Sequence, residues 1–267
     1  MKTNILYNSD CRSMQDIDNN SIDMVLTSPP YEDLRDYGSD NLSGDKWVDF
    51  NIEVLKECKS KLKEKGMICY NVGAKYTQKR NTYIYKLIIR AEAETGLLLI
   101  EDYPWIKCSF PPSKANNRGF NSYENIYVFA KTTNIVFNHD VVRVKYSDES
   151  IKRWKYKVTD LSHRGNNEPK TRRAITPNEL GGLHPNYLIF PKFSGESFHP
   201  APMSIDVIQF FINAYTQKGS IILDPMAGGG NVLFTAYEMG RQYIGYEINP
   251  EYCEKTNKIL SQKRTMF

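Results

Sequence analysis

The 267-residue chain lacks any apolar run approaching the roughly 18 residues needed to cross a bilayer, and no hydrophobic leader core follows Met1-Lys2-Thr3-Asn4. Its five cysteines, Cys11, Cys58, Cys69, Cys108 and Cys253, are odd in number, scattered, and never spaced Cys-x-x-Cys. Neither a disulfide framework nor a zinc site is expected from them, and no other metal site is expected. Internal repeats and low-complexity tracts are missing too. These absences predict a soluble cytoplasmic protein with no membrane attachment. The chain is long enough for one large domain, or a domain carrying an insertion, around a substantial core.

What is present is an alternation of short apolar runs with segments of helical spacing. Strands are expected at 4–7, 22–26, 67–72, 97–107, 124–130, 220–223 and 242–246, and helices at 47–62, 83–95, 204–215, 232–239 and 250–261. Gly66 reads as the C-cap of the first helix, and 32–45, polar and glycine-containing, as a mobile loop beside a cleft. From about 132 to 196 the rhythm degrades, with strand-like pieces at 135–137 and 141–144, so this stretch reads as an inserted subdomain. The expected fold is α/β: a doubly wound, mostly parallel sheet in two halves, 1–131 and 197–267, flanking an insertion at 132–196.

Two turns at expected strand ends carry chemistry. Thr27-Ser28-Pro29-Pro30-Tyr31 follows the apolar run 22–26, where open α/β sheets place their ligands. Successive prolines have no N–H and keep the chain extended, so carbonyls can face a cleft. Ser28 and the Pro29 carbonyl can then accept both N–H bonds of an exocyclic amine, with Tyr31 stacked on the ring that bears it. A Pro-Pro turn after a core strand is the other reading. The second turn, Asp224-Pro225-Met226-Ala227-Gly228-Gly229-Gly230-Asn231, is followed by Glu247, near the spacing of about 20 residues at which βαβ nucleoside sites place a ribose-binding acid. Leu233 stands where the third glycine of a pyrophosphate loop belongs, and Asp224 would repel a pyrophosphate. A ligand with a ribose and a cationic amino-acid group meets both objections. S-adenosylmethionine is such a ligand, with Glu247 on the ribose, Asp224 near the ammonium, and Gly228 and Gly230 allowing close backbone approach. Here the alternative is a tight turn that only joins strand to helix.

Charge is concentrated. Between Arg143 and Arg173 there are ten Lys/Arg against four Asp/Glu, whereas the whole chain is +4. Aromatic residues interleave with these cations, as on surfaces that neutralise phosphates and contact bases. Lys152, Arg153, Lys155, Lys157, Arg172 and Arg173 are the candidates for a DNA path, and Trp154, His163 and Arg164 for base contacts. A solvated face would have the same composition.

Together these segments resemble the amino-methyltransferases of bacterial DNA restriction-modification in their beta arrangement, where the catalytic motif precedes the cofactor motif and the target-recognition region lies between. The resemblance rests on Ser28-Pro29-Pro30-Tyr31, 66–73, 121–131, Phe198-His199-Pro200-Ala201-Pro202, 224–231 and 243–247. Met226, Gly229 and Asn231 stand where the family usually has Phe, Ser and Thr. The resemblance implies a circularly permuted, Rossmann-like methyltransferase sheet, S-adenosyl-L-methionine as cofactor, and a base flipped from double-stranded DNA. It implies a catalytic set of Ser28, Pro29, Pro30 and Tyr31. The implied cofactor set is Asp10, His199, Pro200, Asp224, Pro225, Met226, Ala227, Gly228, Gly230, Asn231 and Glu247. A cognate restriction endonuclease acting separately is a further implied partner. Ser at position 28 resembles the cytosine-N4 enzymes, and adenine-N6 is the alternative. Cytosine-C5 chemistry is disfavoured because no cysteine follows a proline. A nicotinamide oxidoreductase is opposed by the glycine pattern, and a noncatalytic DNA-binding relic is the remaining rival.

Overall fold

Residues 1–31, 42–73, 81–108, 119, 121–154, 159–160, 170–171, 177–195, 198–199 and 201–264 are described by the computed structural model. In chain order the elements are β1 (Ile5–Tyr7), β2 (Ile22–Thr27), α1 (Gly44–Lys61), β3 (Leu62–Val72), α2 (Tyr83–Thr95), β4 (Leu98–Lys107), β5 (Tyr123–Ala130), α3 (Asp148–Trp154), β6 (Thr159–Asp160), β7 (Lys170–Thr171), β8 (Leu188–Phe190), α4 (Ile205–Tyr215), β9 (Ile221–Asp224), α5 (Asn231–Glu238), β10 (Gln242–Tyr246) and α6 (Pro250–Arg264).

Eight of these strands form one sheet in the order β1-β10-β9-β2-β3-β5-β4-β8. Only β5 runs against the others within it. Central strands of such sheets are covered on both faces and so are apolar nearly throughout. Ile22, Met24, Val25, Leu26, Ile68, Leu223 and Ile244 are all buried accordingly. Asp23 is the charged exception in β2. Its Oδ2 accepts the Ile221 N–H of β9 at 2.8 Å, and its Oδ1 pairs with Lys63 of β3 at 2.8 Å.

The N-terminal strand lies beside the C-terminal βαβ unit, with Ile5 opposite Ile244 and Tyr7 opposite Tyr246. Asn4 brackets Tyr243, donating from its N–H to the Tyr243 carbonyl at 2.6 Å and accepting the Tyr243 N–H at 3.1 Å. This is the permuted sheet that the sequence implies.

Some local expectations change. Gly66 caps no helix: α1 ends at Lys61 and β3 begins at once, with Gly66 inside the strand. The glycine is needed for closeness, since a Cβ there would lie 2.8 Å from the Asp23 carbonyl oxygen and 2.8 Å from Leu62 Cδ1. Of the expected loop 32–45, residues 32–41 lie outside the described residues, and Gly44 and Asp45 already belong to α1. The pieces 135–137 and 141–144 form no strands. Phe137 packs edge-on against Tyr215 with centroids 5.0 Å apart, His139–Val141 is a 3-10 turn, and Val144 makes one isolated bridge to Gly182.

Residues Asn138–Pro185 form a compact unit of their own, within the stretch expected as an insertion. It holds α3, the β6–β7 pair and the Val144–Gly182 bridge, with Arg143 bonded to Asp140 at 2.7 Å and to the Gly181 carbonyl at 3.0 Å. The chain then returns to the main unit, where β8 pairs parallel with β4.

Replacing Gly66 by Ala forces its new Cβ against β2 backbone, an overpacking that costs about 1–3 kcal/mol. Urea unfolding is the measurement, and an unchanged midpoint would refute the close-approach role.

Candidate active site

Parallel strands end together, so β1, β2, β9 and β10 bring their following loops to one edge of the sheet. There a cleft of about 360 Å³ is lined by Ser28, Tyr31, Met226, Gly228, Glu247 and Tyr252, among others. A recess of about 40 Å³ adjoins Asp224, His199 and Asn231. A further cavity of about 180 Å³ is bounded by Tyr31, Asn71, Lys107 and Glu124. Ser28 lines all three.

The wall of the large cleft is built from backbone. Gly228 has φ +49°, and a Cβ on it would lie 2.8 Å from His199 Nε2. Its N–H donates to Glu247 Oε2 at 2.8 Å, while Asn249 N–H donates to Glu247 Oε1 at 2.8 Å. Burial pushes the Glu247 carboxyl up, and these N–H groups pull it back toward the charged form. With the Ile248 N–H as a third backbone donor, one of the four lone-pair sites remains, so Glu247 can still accept a ligand hydroxyl. Pro225 and Met226 also line the cleft, the Ala227 N–H donates to the Tyr246 carbonyl at 2.8 Å, and Gly230 is the N-cap of α5. Asn231 donates to the Met203 carbonyl at 3.0 Å. Asp10 is at the cleft margin, gripped by Arg12 through Nε at 3.0 Å and NH2 at 2.6 Å, which holds its carboxyl below the usual value. Pro200 lies outside the described residues.

Asp224 is placed differently from the other acids. It borders the small recess, is 3% exposed, and accepts the Thr27 hydroxyl at 2.7 Å and the Met226 N–H at 3.2 Å, both on Oδ1. Burial pushes its carboxyl up to about 7, against the pull of these hydrogen bonds.

On the other side of Ser28, polar side chains form a chain. Ser28 Oγ donates to the Tyr31 hydroxyl at 3.4 Å, and Tyr31 donates to Glu124 Oε2 at 2.9 Å. Asn71 Nδ2 donates to the Tyr31 hydroxyl at 3.3 Å, and Lys107 makes an ion pair with Glu124 Oε1. Pro29 is buried, and the Pro30 carbonyl accepts the Trp47 indole N–H at 2.7 Å, which fixes the turn. Sequence reasoning missed Asn71, Lys107 and Glu124. Polar residues inside or ending apolar strands were the available signal. Glu124 was harder to find, because β5 is antiparallel and brings its first residues, not its last, to this edge.

Of the basic candidates, Lys152 is exposed on α3, and Arg153 and Trp154 complete that helix. Lys155, Lys157, His163, Arg164, Arg172 and Arg173 lie outside the described residues. Among the described residues there is no cluster able to hold a metal, and no helix is long and apolar enough to cross a membrane.

The profile of the DNA methylase family matches residues 22–258. The chain belongs to this DNA methylase family. Its relatives include the type II methyltransferase M.HpaI of Haemophilus parainfluenzae, 28% identical with 100% of this chain and 77% of that protein covered. Another is M.PvuII of Proteus hauseri, 27% identical over 92% of this chain and 81% of its own length. Among solved structures, the PvuII DNA methyltransferase, described as cytosine-N4-specific, superposes with a TM-score of 0.72 at 20% identity, covering 99% of this chain and 92% of that one. M1.HpyAVI in complex with SAM superposes at 0.60 and 18% identity, covering 96% of this chain and 98% of that one. As a beta-class member of the methylase family, the chain is a DNA amino-methyltransferase dependent on S-adenosylmethionine. The open cleft, the glycine cradle and the remaining acceptor site of Glu247 fit that cofactor.

Asp224 sets a pH dependence. Its carboxyl titrates near 3.8 ordinarily and near 7 when folded, so between these values the folded state holds a proton that the unfolded chain has lost. Stability from this group is complete below the lower value and drains away as pH rises through the upper one. Asp224→Asn removes the titration while keeping an acceptor for Thr27. Its melting temperature relative to the parent is expected to be higher at pH 8 than at pH 5, and a constant difference would refute the assignment.

Proposed function

We propose that this methylase transfers a methyl group to the exocyclic N4 amine of a cytosine flipped out of double-stranded DNA, with Ser28 as the seat of the amine. The observation that carries this reading is the position of Ser28 at the meeting of the two larger cavities. S-adenosylmethionine, bound in the larger one, supplies an electrophilic methyl group. Glu247 would hold its ribose hydroxyls, with His199 and the Gly228 turn beside it. Asp224, locked to Thr27, positions Met226 and the turn, and its charge faces the recess where the cofactor's ammonium would sit. Asp10, Pro200, Pro225, Ala227, Gly230 and Asn231 complete the cofactor set.

An amine conjugated to a base ring is a poor nucleophile because its lone pair is delocalised. Acceptors at Ser28 Oγ and the Pro29 carbonyl hold both N–H bonds out of the ring plane and return the lone pair to nitrogen. The gain comes from orientation, without a covalent enzyme intermediate. Pro30 fixes the turn and Tyr31 stacks on the flipped ring. A serine at position 28 favours cytosine-N4, and the similar fold of a methyltransferase described as cytosine-N4-specific supports it. Methylation-aware sequencing of DNA from cells expressing the protein identifies the base. N6-methyladenine there would transfer the same machinery to the alternative target.

The unit at Asn138–Pro185 and its flanks are assigned to target recognition, with Lys152, Arg153, Lys155, Lys157, Arg172 and Arg173 on phosphates and Trp154, His163 and Arg164 on bases. The type II relatives support a separate cognate endonuclease that this methylation protects against.

Ser28→Ala is expected to abolish most transfer of radiolabelled methyl while leaving cofactor affinity by calorimetry near the parent's. Glu247→Ala loses a hydrogen-bonded charge worth about 1.5–3 kcal/mol, roughly ten- to a hundredfold in cofactor affinity. Equal losses in both assays for Ser28→Ala would reject the division of roles. For the DNA path, a Lys152/Arg153/Lys155 triple glutamine variant should bind DNA more weakly, its log-log salt slope shallower by about 0.9 for each phosphate that is no longer neutralised. An unaltered slope would retire that path.

A further inference from the structure

Methyl transfer leaves the amine nitrogen with one proton too many, and the structure contains an oriented route away from Ser28. The hydroxyl of Ser28 donates to that of Tyr31 at 3.4 Å, and Tyr31 donates to Glu124 Oε2 at 2.9 Å, so both bonds point toward the carboxylate. Lys107 occupies the other Glu124 oxygen, while Oε2 takes the Tyr31 hydroxyl and, more distantly at 3.5 Å, Asn71 Nδ2. The Glu124 and Lys107 side chains are 12% and 15% exposed, enough to return a proton to water.

We propose that Glu124 is the terminal acceptor of the proton shed by the target amine, reached through Ser28 and Tyr31. As the new N–C bond forms, one N–H bond breaks and its electron pair returns to nitrogen. Ser28 Oγ takes that proton and releases its own to the Tyr31 oxygen, which releases its own to Glu124 Oε2. Glu124 becomes a carboxylic acid and Ser28 and Tyr31 end as neutral hydroxyls, so no co-reactant is required. The 3.4 Å step is long for a hydroxyl pair, as catalytic hydrogen bonds often are before substrate arrives. This inference rests on the reading of Ser28 as the seat of the amine.

The test is single-turnover transfer of radiolabelled methyl to unmodified genomic DNA, with cofactor affinity measured by calorimetry on the same proteins. Glu124→Gln keeps size and an acceptor for Tyr31 but cannot take a proton, and Tyr31→Phe keeps the ring but cuts the route. Each is expected to slow transfer by about a hundredfold or more. The double variant should be no slower than the slower single, because both cut one route. Formate should restore part of the rate to Glu124→Ala, where a cavity opens beside Lys107, and none to Glu124→Gln. Cofactor affinity is expected to be unchanged throughout. A Glu124→Gln rate within about threefold of the parent, or losses that multiply in the double variant, would overturn the proposal. A lost cofactor affinity would overturn it too. Parental rates in Ser28→Ala would instead reject the seat of the amine itself.

Discussion

The two halves of the site are joined by one buried hydrogen bond, from the Thr27 hydroxyl to Asp224. Thr27 ends β2 and is followed by Ser28; Asp224 ends β9 and is followed by the Pro225-Met226 turn. The partners are 197 positions apart in the chain, yet the bond fixes the catalytic turn relative to the cofactor turn. In so dry a setting a hydrogen bond is stronger than in water, and the same dryness raises the cost of the carboxylate it holds. With the β2–β9 ladder and the Asp23–Ile221 bond, this contact sets the register between β2 and β9 and hence the meeting of two cavities at Ser28.

Much of this was legible in the sequence, for reasons that particular residues make plain. The runs around Val25, Leu223 and Ile244 are apolar nearly throughout, as strands covered on both faces are, so they announce themselves. Ser28, Gly228 and Glu247 stand at strand ends, where a parallel sheet must place its ligands. Gly66 misled because glycine marks helix ends as readily as crowded strands, and only the neighbouring Asp23 carbonyl distinguishes the two. Residues 135–144 misled because β-branched content alone does not make a strand: Phe137 spends its apolar surface on Tyr215. Glu124 escaped because strand direction decides which end meets the cleft, and direction is a property of pairing, not of local sequence.

The two sides of Ser28 are built from different materials. Toward the large cleft, main-chain N–H groups of Gly228 and Asn249 hold Glu247, so the geometry survives changes in the turn's side chains. That is how Met226, Gly229 and Asn231 can depart from the usual residues, with Asn231 taking up a bond to the Met203 carbonyl instead. Toward the other cavity, Tyr31, Asn71, Lys107 and Glu124 hold one another by side-chain atoms alone, and each depends on its neighbours' identity. Variation should therefore be tolerated on one side of the serine and felt on the other.

The edge strand β1 has its own consequence for how the protein is made. Its partner, β10, is about 240 positions later, and Asn4 needs Tyr243 before its N–H and its side-chain oxygen find their partners. Contacts so distant along the chain close late in folding, after the local helices and the β4–β5 hairpin. The cleft margin at Asp10 and Arg12 follows β1, so its placement depends on the pairing of β1 with β10. Until β10 pairs with β1, a chain whose catalytic turn has already formed still lacks this margin of its cofactor cleft.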